Sequence, residues 1–334
     1  MRAIAPAVVR AHASDGAATT LTLGLDIGGT KLAAGVVDAT GHIVALRRIP
    51  TPAGWQPAVA ALLRLGHEVL HRAGVTTAGI SAVGIGCGGP LDLGRGLVLA
   101  PPNLPGWNEV PIVQLVEQEF GRPTRLENDG NAAALATYRW GAHAGTDILV
   151  YFTISTGIGS GLVERGRLYR GGAGNGCELG HTVVDWRGRQ CLCGQRGCAE
   201  AYVSGSSIGR RAREALAAGR SSALAGTAAT AADVAAAARA GDSLALEIWT
   251  ESTAILGRLL ASTLNTFEPH LIVLGGGVTR AGDMLLEPVR ATALAQAMPP
   301  AARIADIVLS SHGDNIGVVG AAAVAIPTVR EEAP

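Results

Sequence analysis

The chain has 334 residues, of which 48% are hydrophobic and 16% charged, and its formal net charge is zero. This length exceeds what one hydrophobic core usually covers, so it predicts two domains. A neutral chain without basic clusters is unsuited to nucleic acid, and no apolar run reaches the roughly eighteen residues of a membrane span. Residues 1–20 are Ala-rich and lack the apolar core of a signal peptide, which indicates a disordered tail on a cytoplasmic protein.

The first predicted element is a β-hairpin. Leu21–Ile27 is an apolar run typical of a buried strand, Gly28–Lys31 is a turn, and Leu32–Asp38 is a second strand. The backbone N–H groups of the turn, its threonine hydroxyl and its lysine suit phosphate oxygens, while Asp26 suits a water-bound Mg²⁺. Neither a P-loop nor a dinucleotide fingerprint fits, because no helix follows the glycines. An ordinary tight hairpin turn is the alternative.

A helix is predicted over Gln56–Ala73, where apolar residues recur at helical spacing. Further along, a short strand ending at Glu127 meets an Ala-rich helix, and Asn128 and Asp129 lie at the junction. A carboxylate in this position can take the proton of an attacking alcohol, and the neighbouring asparagine can hold the hydroxyl. The pattern therefore predicts that Asp129 is a general base. A plain Asn-Asp helix N-cap is the alternative.

A second strand–glycine–strand unit begins about 130 residues after the first. Asp147–Ser155 is predicted as a strand and Thr156–Gly161 as a glycine turn, and Leu162 is predicted to begin the returning strand. Two such units predict two related lobes, each offering one phosphate loop to a nucleotide between them. A third glycine cluster, Gly275–Gly277, ends another predicted strand and would let an adenosine ring approach the backbone.

One imidazole and three thiols fall within eighteen residues: His181, Cys191, Cys193 and Cys198. This set suits one tetrahedral Zn²⁺. A disulfide pair with spare thiols is the alternative, but disulfide frameworks are typical of small secreted domains. Glu178 precedes the set and Glu200 follows it, so the zinc loop is predicted to carry a binding site.

Two further segments complete the predicted scaffold. Ala217–Ala232 is rich in Ala, Gly and Ser and is predicted as a loop. Ser243–Phe267 is predicted as a long helix, whose wide apolar face fits either the sheet or a second subunit.

Together these motifs resemble those of the ROK (repressor, open reading frame, kinase) sugar kinases over about residues 21–326. The matching motifs are Asp26-x-Gly-Gly-Thr-Lys31, Glu127-Asn-Asp129, Ser155-Thr-Gly-Ile-Gly159, Glu178-Leu-Gly-His181, the Cys-x-Cys-Gly-x-x-Gly-Cys-x-Glu run ending at Glu200, and Gly275-Gly-Gly277. The resemblance implies an α/β fold of the two-lobed hexokinase–actin (ribonuclease H-like) type, with the active-site cleft between the lobes. The expected small lobe is 21–127, with a C-terminal helix at about 315–330 returning to it, and the expected large lobe is 128–314.

The resemblance also implies an ATP-dependent kinase that phosphorylates the 6-hydroxyl of a hexose, most simply glucose, with Asp129 as the base. The implied sugar contacts are Gly89, Asn103, Asn128, Asp129, Glu178, His181 and Glu200. The residues expected around Mg-ATP are Asp26, Gly28, Gly29, Thr30, Lys31, Thr156, Gly157, Gly275, Gly276 and Gly277. The zinc ligands are His181, Cys191, Cys193 and Cys198. The expected partners are the sugar and ATP, without nucleic acid or membrane, in a homodimer or homotetramer.

The resemblance leaves alternatives open. N-acetylmannosamine, N-acetylglucosamine and fructose share hydroxyl pairs with glucose, so each is an alternative substrate. A sugar-sensing repressor of the same family is another alternative, but it would need a DNA-binding domain of roughly 60–80 residues before the first turn. Only about twenty residues precede Leu21, and the retained Asp129 also favours catalysis.

Three positions depart from the pattern usual in similar kinases. Cys177 stands where a small residue such as Gly or Ala is common, and we expect a bystander because four ligands already close the zinc site. Ser160 replaces a glycine of the second turn and is small enough to keep that turn. Gly130 stands where Ala is commoner and is expected to loosen slightly the start of the helix after Asp129.

Overall fold

Two five-stranded mixed sheets organise the part of the chain that the computed structural model describes, residues 20–326. The N-terminal tail was predicted over residues 1–20, and residues 1–19 of it lie outside the described residues. Residues 327–330, the end of the predicted C-terminal helix, also lie outside them. The two-sheet α/β architecture confirms the predicted fold class. The lobe boundaries proposed at 127/128 and 314/315 stay a prediction.

The first sheet has the strand order β3-β2-β1-β4-β7. Strand β1 is antiparallel to β2 and parallel to β4, and β7 extends the parallel half. A two-stranded ribbon, β5 and β6, lies between β4 and β7 in the chain. The strands are β1 (Leu21–Ile27), β2 (Lys31–Val37), β3 (Ile43–Pro50), β4 (Ile80–Cys87), β5 (Leu91–Asp92), β6 (Leu97–Val98) and β7 (Thr124–Asn128). Strands β1 and β2 read as continuous apolar runs because helices cover both faces of this sheet.

The second sheet repeats the arrangement of the first, with the order β10-β9-β8-β11-β12. Strands β8 and β9 form an antiparallel hairpin, and β11 and β12 continue the sheet in parallel. The strands are β8 (Ile148–Ile154), β9 (Ile158–Glu164), β10 (Arg167–Leu168), β11 (Leu271–Gly275) and β12 (Asp306–Leu309). The sequence-based expectation of two related hairpin units is therefore confirmed.

The helices pack on the two sheets. They are α1 (Trp55–Arg72), α2 (Ile112–Phe120), α3 (Asp129–Trp140), α4 (Glu200–Val203), α5 (Gly205–Ala217), α6 (Ala231–Arg239), α7 (Ser243–Phe267), α8 (Asp283–Gln296), α9 (Pro299–Ile304) and α10 (Ile316–Ala325). The helices predicted over 56–73 and 243–267 are confirmed as α1 and α7, because their apolar spacing matched the faces that they bury. Within residues 20–326, none of the helices has both the length and the apolar character needed to cross a membrane.

Helix α10 connects the two halves of the described fold. It packs on β1 and β4 of the first sheet and also on α3, which in turn packs on β8 and β9 of the second sheet. Ten residues of α10 are nearly all small or β-branched, so the helix fits closely between its neighbours. This packing brings the end of β1 and the start of α3 toward the same place.

The second glycine turn is shorter than predicted. Strand β9 already begins at Ile158, so the predicted turn Thr156–Gly161 was wrong, and Ser160 lies inside the strand opposite Phe152. The glycines of this stretch serve close packing instead. A Cβ on Gly130 of α3 would lie 2.5 Å from the Ser160 carbonyl oxygen. Gly130 therefore has a packing reason that helix propensity does not capture.

Candidate active site

One hydrogen bond within the turn between β1 and β2 and two from Thr51 hold this turn in place. The Gly28 N–H donates to the Lys31 carbonyl at 3.0 Å, which closes the turn itself. The Thr51 hydroxyl donates to the Gly28 carbonyl at 2.6 Å, and the Thr51 N–H donates to the Thr30 carbonyl at 3.1 Å. The residue that follows β3 therefore fixes the predicted phosphate turn, and Gly29 and Thr30 remain exposed at its tip.

Asp26 is the second-last residue of β1 and is only 8% exposed. Burial raises the pKa of its carboxyl group to about 6, against the opposing effect of Lys31. The Asp129 carboxylate raises this pKa further, and Arg48 lowers it. Gly317 of α10 lies directly against the Asp26 carboxylate, where a side chain would overlap it. Two neighbouring carboxylates in a partly dry site suit a hydrated divalent cation.

Asn128 and Asp129 lie where β7 passes into α3. Asn128 is the N-cap: its side-chain oxygen accepts the Gly130 N–H at 2.9 Å and the Asn131 N–H at 3.4 Å. The alternative interpretation of this junction as a helix N-cap is thus correct for Asn128. The cap uses the side-chain oxygen and not Nδ2 of the amide. Asp129 Oδ1 accepts the Gly130 N–H at 2.8 Å, and burial raises the pKa of its carboxyl group despite this bond. A raised pKa strengthens the carboxylate as a base.

Glu127, just before this junction, is a buried carboxylate for which the sequence analysis predicted no role. It is 1% exposed and bonds to Arg170 Nε at 2.7 Å, Asn131 Nδ2 at 3.0 Å and the Asn128 N–H at 3.0 Å. These bonds fix the start of α3 and hence the direction of Asp129. Its place in the Glu127-Asn-Asp129 motif was the available signal, but Arg170 lies 43 positions away.

Residues from four separate segments meet around Gly89. A Cβ on Gly89 would lie 3.5 Å from Asn128 Nδ2, 3.5 Å from Asn175 Oδ1 and 3.8 Å from Glu178 Oε1. Asn103 is next to this group, since a Cβ on Gly88 would lie 3.5 Å from its Nδ2. The predicted sugar contacts Gly89, Asn103, Asn128 and Glu178 are therefore brought together. The Asn103 backbone also abuts Gly29 of the first turn.

Asn175 is a further residue of this site that the sequence did not identify. Its Oδ1 accepts the Leu91 N–H and its Nδ2 donates to the Leu91 carbonyl, both at 2.9 Å. The side-chain amide thus both accepts a hydrogen bond from and donates one to the backbone of Leu91, in the segment after Gly89. Only a neighbouring pair of glycines marked this asparagine in the sequence.

Glu178 faces the other acidic groups of the cleft. Loss of hydration raises the pKa of its carboxyl group, and His181 opposes the rise. The carboxylates of Asp129 and Glu200 both raise it further. The proposed base and the two zinc-loop acids are therefore close enough to repel one another, so they share one site.

The predicted zinc ligands form a compact cluster. One ligand atom from each of His181, Cys191, Cys193 and Cys198 lies within 4.8 Å of all the others. Cys193 Sγ is 3.7 Å from Cys198 Sγ, and Cys191 Sγ is 3.7 Å from His181 Nδ1. A tetrahedral ion with bonds of about 2.0–2.3 Å to N and S gives such edges, so the donor set fits Zn²⁺. His181 Nδ1 faces the cluster, which leaves Nε2 for another partner.

Cys177 does not join this cluster among the described residues. Its Sγ is 3.9 Å from the Tyr169 carbonyl oxygen, and burial raises the pKa of its thiol to about 11. The four clustered side chains do not include this thiol. This agrees with the expectation that Cys177 stands outside the zinc site.

Glu200 connects the zinc cluster to the second glycine turn. Its Oε2 accepts the Ile158 N–H at 2.8 Å and lies against Gly157, while its Oε1 is 3.8 Å from Cys191 Sγ. The zinc loop therefore lies directly beside the turn. This adjacency was not visible in the sequence, where 42 positions separate Glu200 from Ile158.

The second turn and the third glycine cluster border one cavity. It has a volume of about 430 Å³ and is lined by Thr156, Gly277, α6 and the α7 residue Trp249, among others. Gly276 adopts a φ of 91° and lies against the Ile154 backbone, so only glycine suits this position. Of the predicted nucleotide residues, Thr156 and Gly277 line this cavity, and Gly276 packs beside it on the Ile154 backbone. Gly28–Lys31 lie at the end of the first sheet.

Comparisons with known proteins agree with this arrangement. The sequence model of the ROK family matches residues 22–327. A glucokinase of Streptomyces coelicolor is 34% identical over 322 residues, which covers 90% of this chain and 96% of the relative. An N-acetylmannosamine kinase of Escherichia fergusonii is 36% identical over 309 residues, covering 91% and 98%. The structure of a ROK family glucokinase from Streptomyces griseus in complex with glucose and AMPPNP is 35% identical, has a TM-score of 0.80, and covers 91% of this chain and 99% of that one.

Proposed function

This chain belongs to the ROK family of sugar kinases, and we propose that it transfers the γ-phosphate of Mg-ATP to the 6-hydroxyl of glucose. The observation that carries the proposal is the environment of Asp129. Its Oδ1 would lie 3.5 Å from a Cβ on Gly159, next to the second turn, and its charge acts on both Asp26 and Glu178. One carboxylate thus lies between residues suited to phosphate and residues suited to sugar hydroxyls.

In the proposed reaction, Asp129 accepts the proton of the sugar hydroxyl as that oxygen attacks the γ-phosphorus in line. The bond from this phosphorus to the β,γ-bridging oxygen breaks, and ADP leaves. The raised pKa of Asp129 makes it a better base than an exposed carboxylate, and the Gly130 N–H fixes one of its oxygens. The other ring hydroxyls are assigned to Asn103, Asn128, Glu178, His181 and Glu200. Positioning supplies much of the acceleration, because donor and acceptor are held in one cleft.

The nucleotide is assigned to the two turns and the third glycine cluster. The backbone N–H groups and Thr30, Lys31 and Thr156 are suited to phosphate oxygens, and the 430 Å³ cavity is suited to adenosine. Asp26 is assigned to hold the Mg²⁺ of Mg-ATP through water, and this cation supplies charge neutralisation on the phosphates. His181 and the three cysteines would hold Zn²⁺ as a structural ion that fixes the loop between Glu178 and Glu200.

Phosphorylation of N-acetylmannosamine is the second candidate activity. The Escherichia fergusonii relative named for it is as similar to this chain as the glucokinases are. The two sugars differ at C2, so the segment from Gly174 to His181 is where we expect the discrimination to arise. A bulky acetamido group needs space beside Glu178 that a hydroxyl does not.

The test is ADP release across a panel of glucose, N-acetylmannosamine, N-acetylglucosamine and fructose, with the product identified by ³¹P NMR. We expect kcat/KM for glucose to exceed the others by about tenfold or more, with phosphate on O6. About a tenfold preference for an acetamido sugar would overturn the choice of glucose and leave the kinase proposal standing. ADP release that no sugar stimulates would overturn the kinase proposal itself.

The family resemblance leads to two further proposals. We propose that the enzyme is cytoplasmic and works as a homodimer or homotetramer. Light scattering behind size-exclusion chromatography measures the second property directly. A monomer at assay concentration would contradict it.

A further inference from the structure

Ser160 and Cys177, which lie 17 positions apart, contact each other. Ser160 lies in β9 and is only 3% exposed. Its hydroxyl donates to the Cys177 carbonyl and accepts the Leu179 N–H at 3.1 Å. These two partners are the residues on either side of Glu178. A single buried hydroxyl thus holds the backbone before and after a proposed sugar ligand.

Cys177 needs such support because of its backbone conformation. Its φ is 65°, in the left-handed region that residues with a Cβ disfavour and glycine adopts readily. The Ser160 hydroxyl donates to the carbonyl of this same residue, so it restrains the peptide that leads into Glu178. Without that bond, a residue with a Cβ would gain by relaxing toward negative φ, which would turn the Glu178 side chain.

The same segment carries a zinc ligand. Leu179–His181 is a short 3₁₀ helix, and the His181 N–H donates to the Glu178 carbonyl at 3.0 Å. Gly180 packs directly on the Ile158 backbone, where a side chain would overlap the carbonyl oxygen. Residues 177–181 are therefore attached to β9 at two points, the Ser160 hydroxyl and the Gly180 contact. The hydroxyl is the point nearest to Glu178.

We propose that Ser160 is a positioning residue for sugar binding, and that its hydroxyl compensates for a side chain at position 177. The inference rests on the proposed function, since Glu178 is assigned to the sugar there. The Ser160 hydroxyl then stabilises the left-handed backbone conformation that Cys177 adopts. A chain with glycine at 177 would reach the same backbone conformation without a hydroxyl at 160.

The test is a set of three variants: Ser160→Ala, Cys177→Gly and the double variant. Glucose binding is measured by calorimetry, and kcat and KM are measured for glucose and ATP. We expect Ser160→Ala to weaken glucose binding about three- to tenfold, the effect of one or two lost hydrogen bonds, with KM for ATP unchanged. Cys177→Gly alone should stay within about twofold of the wild type, and in the double variant it should restore most of the lost affinity.

Thr263→Val is the matched control. Its hydroxyl is also buried and donates to the Leu259 carbonyl at 3.0 Å within α7, away from the residues assigned to the sugar. This variant should lose stability without losing glucose affinity. Equal increases of KM for glucose and ATP in Ser160→Ala, or a double variant without recovery, would overturn the proposal. If Ser160→Ala fails to fold, a folded double variant supports the proposal and an unfolded one overturns it.

A second readout separates this proposal from the proposed function. If the wild type phosphorylates no sugar of the panel, the proposed function has failed. The contact is then tested through urea unfolding of the wild type, the variants Ser160→Ala and Cys177→Gly, and the double variant. Restraint of Cys177 by Ser160 predicts that the stability changes of the two substitutions are not additive. Additive changes would overturn the coupling between the two residues whatever the substrate is.

Discussion

At the scale of single residues, four carboxylates near the cleft differ in what surrounds them. Asp26, Asp129 and Glu178 have raised pKa values, in each case chiefly because the protein displaces water from them. Glu127 is the most deeply buried of the four, at 1% exposed, but it is bonded to Arg170, Asn131 and a backbone N–H. The first three are therefore suited to bind a proton, cation or hydroxyl, and Glu127 is suited to hold the scaffold.

Asp129→Asn should separate catalysis from binding. The amide keeps the shape of the side chain but cannot accept the hydroxyl proton, so kcat should fall on the order of 10²–10⁴-fold. Glucose affinity, measured by calorimetry, should change little. Asp283→Asn alters an exposed carboxylate at the start of α8 and should keep wild-type kcat. An Asp129→Asn enzyme with near-normal turnover would assign the proton to another group.

Asp26 should make stability depend on pH in a defined direction. Its pKa is 3.8 in the unfolded chain and about 6 in the fold. Between these values the unfolded state loses the proton first, so stability falls as pH rises toward 6. Without nucleotide or Mg²⁺, Asp26→Asn should therefore match the wild type near pH 4 and exceed its free energy of unfolding at pH 7.5 by up to about 3 kcal/mol.

Asp38→Asn is the control of opposite sign for that measurement. Hydrogen bonds from Thr40 and His42 lower the pKa of the Asp38 carboxyl group, although partial burial opposes them. Its stabilising effect is present above its ordinary pKa and is lost in acid. Asp38→Asn should therefore be less stable than the wild type at pH 7.5. If the difference in free energy of unfolding between Asp26→Asn and the wild type does not vary with pH, the raised pKa assigned to Asp26 would be contradicted.

At the scale of elements, the close approach of α3 and β9 decides where Asp129 lies. Helix propensity favours Ala over Gly at position 130 by about 1 kcal/mol, but the packing predicts the opposite sign. A Cβ on Gly130 would meet the Ser160 backbone at 2.5–2.8 Å. Gly130→Ala should therefore reduce the free energy of unfolding in urea by about 1–3 kcal/mol and lower kcat as well.

Gly172→Ala is the matched control for that substitution. A Cβ on Gly172 would meet nothing within 4 Å. This variant should stay within about 0.5 kcal/mol of the wild type. A stabilised Gly130→Ala variant would show that α3 and β9 can separate without cost.

The zinc loop is the second element whose role can be measured. Purified protein should carry about one zinc per chain, counted by atomic emission. Cys193→Ser should lose the metal, lower Tm and raise KM for glucose, because Glu200 joins the cluster to the second turn. Cys177→Ser should keep the metal, because Cys177 is outside the cluster. A zinc-free Cys193→Ser enzyme with a normal KM for glucose would show that the zinc loop does not shape the sugar site.

At the scale of the whole molecule, a few contacts join segments that are remote in sequence. Helix α10 packs on both the first sheet and α3, and the Asn175 amide binds the backbone of Leu91 across 84 positions. These contacts bring Gly89, Asn128 and Glu178 together. Sugar affinity should therefore depend on residues that bind no sugar themselves.

Asn175→Ala should show this dependence. Loss of two hydrogen bonds to Leu91 should raise KM for glucose about tenfold, while KM for ATP stays near the wild-type value. Asn265→Ala is the control. The Asn265 side chain also accepts a backbone hydrogen bond, from the Met298 N–H at 2.7 Å, but at the α7–α9 contact, so KM for glucose should not change in this variant. An unchanged KM for glucose in Asn175→Ala would mean that the position of the Gly89 segment does not depend on the hydrogen bonds from Asn175.

Much of the site could be predicted from the sequence because its parts are local. The four side chains of the zinc-compatible cluster follow each other within eighteen residues, and Asp129 adjoins a strand–helix junction. Spacing and residue type were therefore enough to select these residues as candidates. The hairpins, α1 and α7 were predictable for a similar reason, since their apolar spacing reflects the faces that they bury. These features depend on neighbours in the chain.

Tertiary structure alone decided the features that depend on remote neighbours. The length of the second turn could not be predicted, because glycine is typical both of turns and of close packing, and only α3 lying on β9 distinguishes them. The roles of Glu127, Asn175 and Ser160 were hidden for the same reason: each bonds to residues from 17 to 84 positions away. A sequence shows which polar groups exist, and the fold determines which of them meet, because burial forces each one to find a partner.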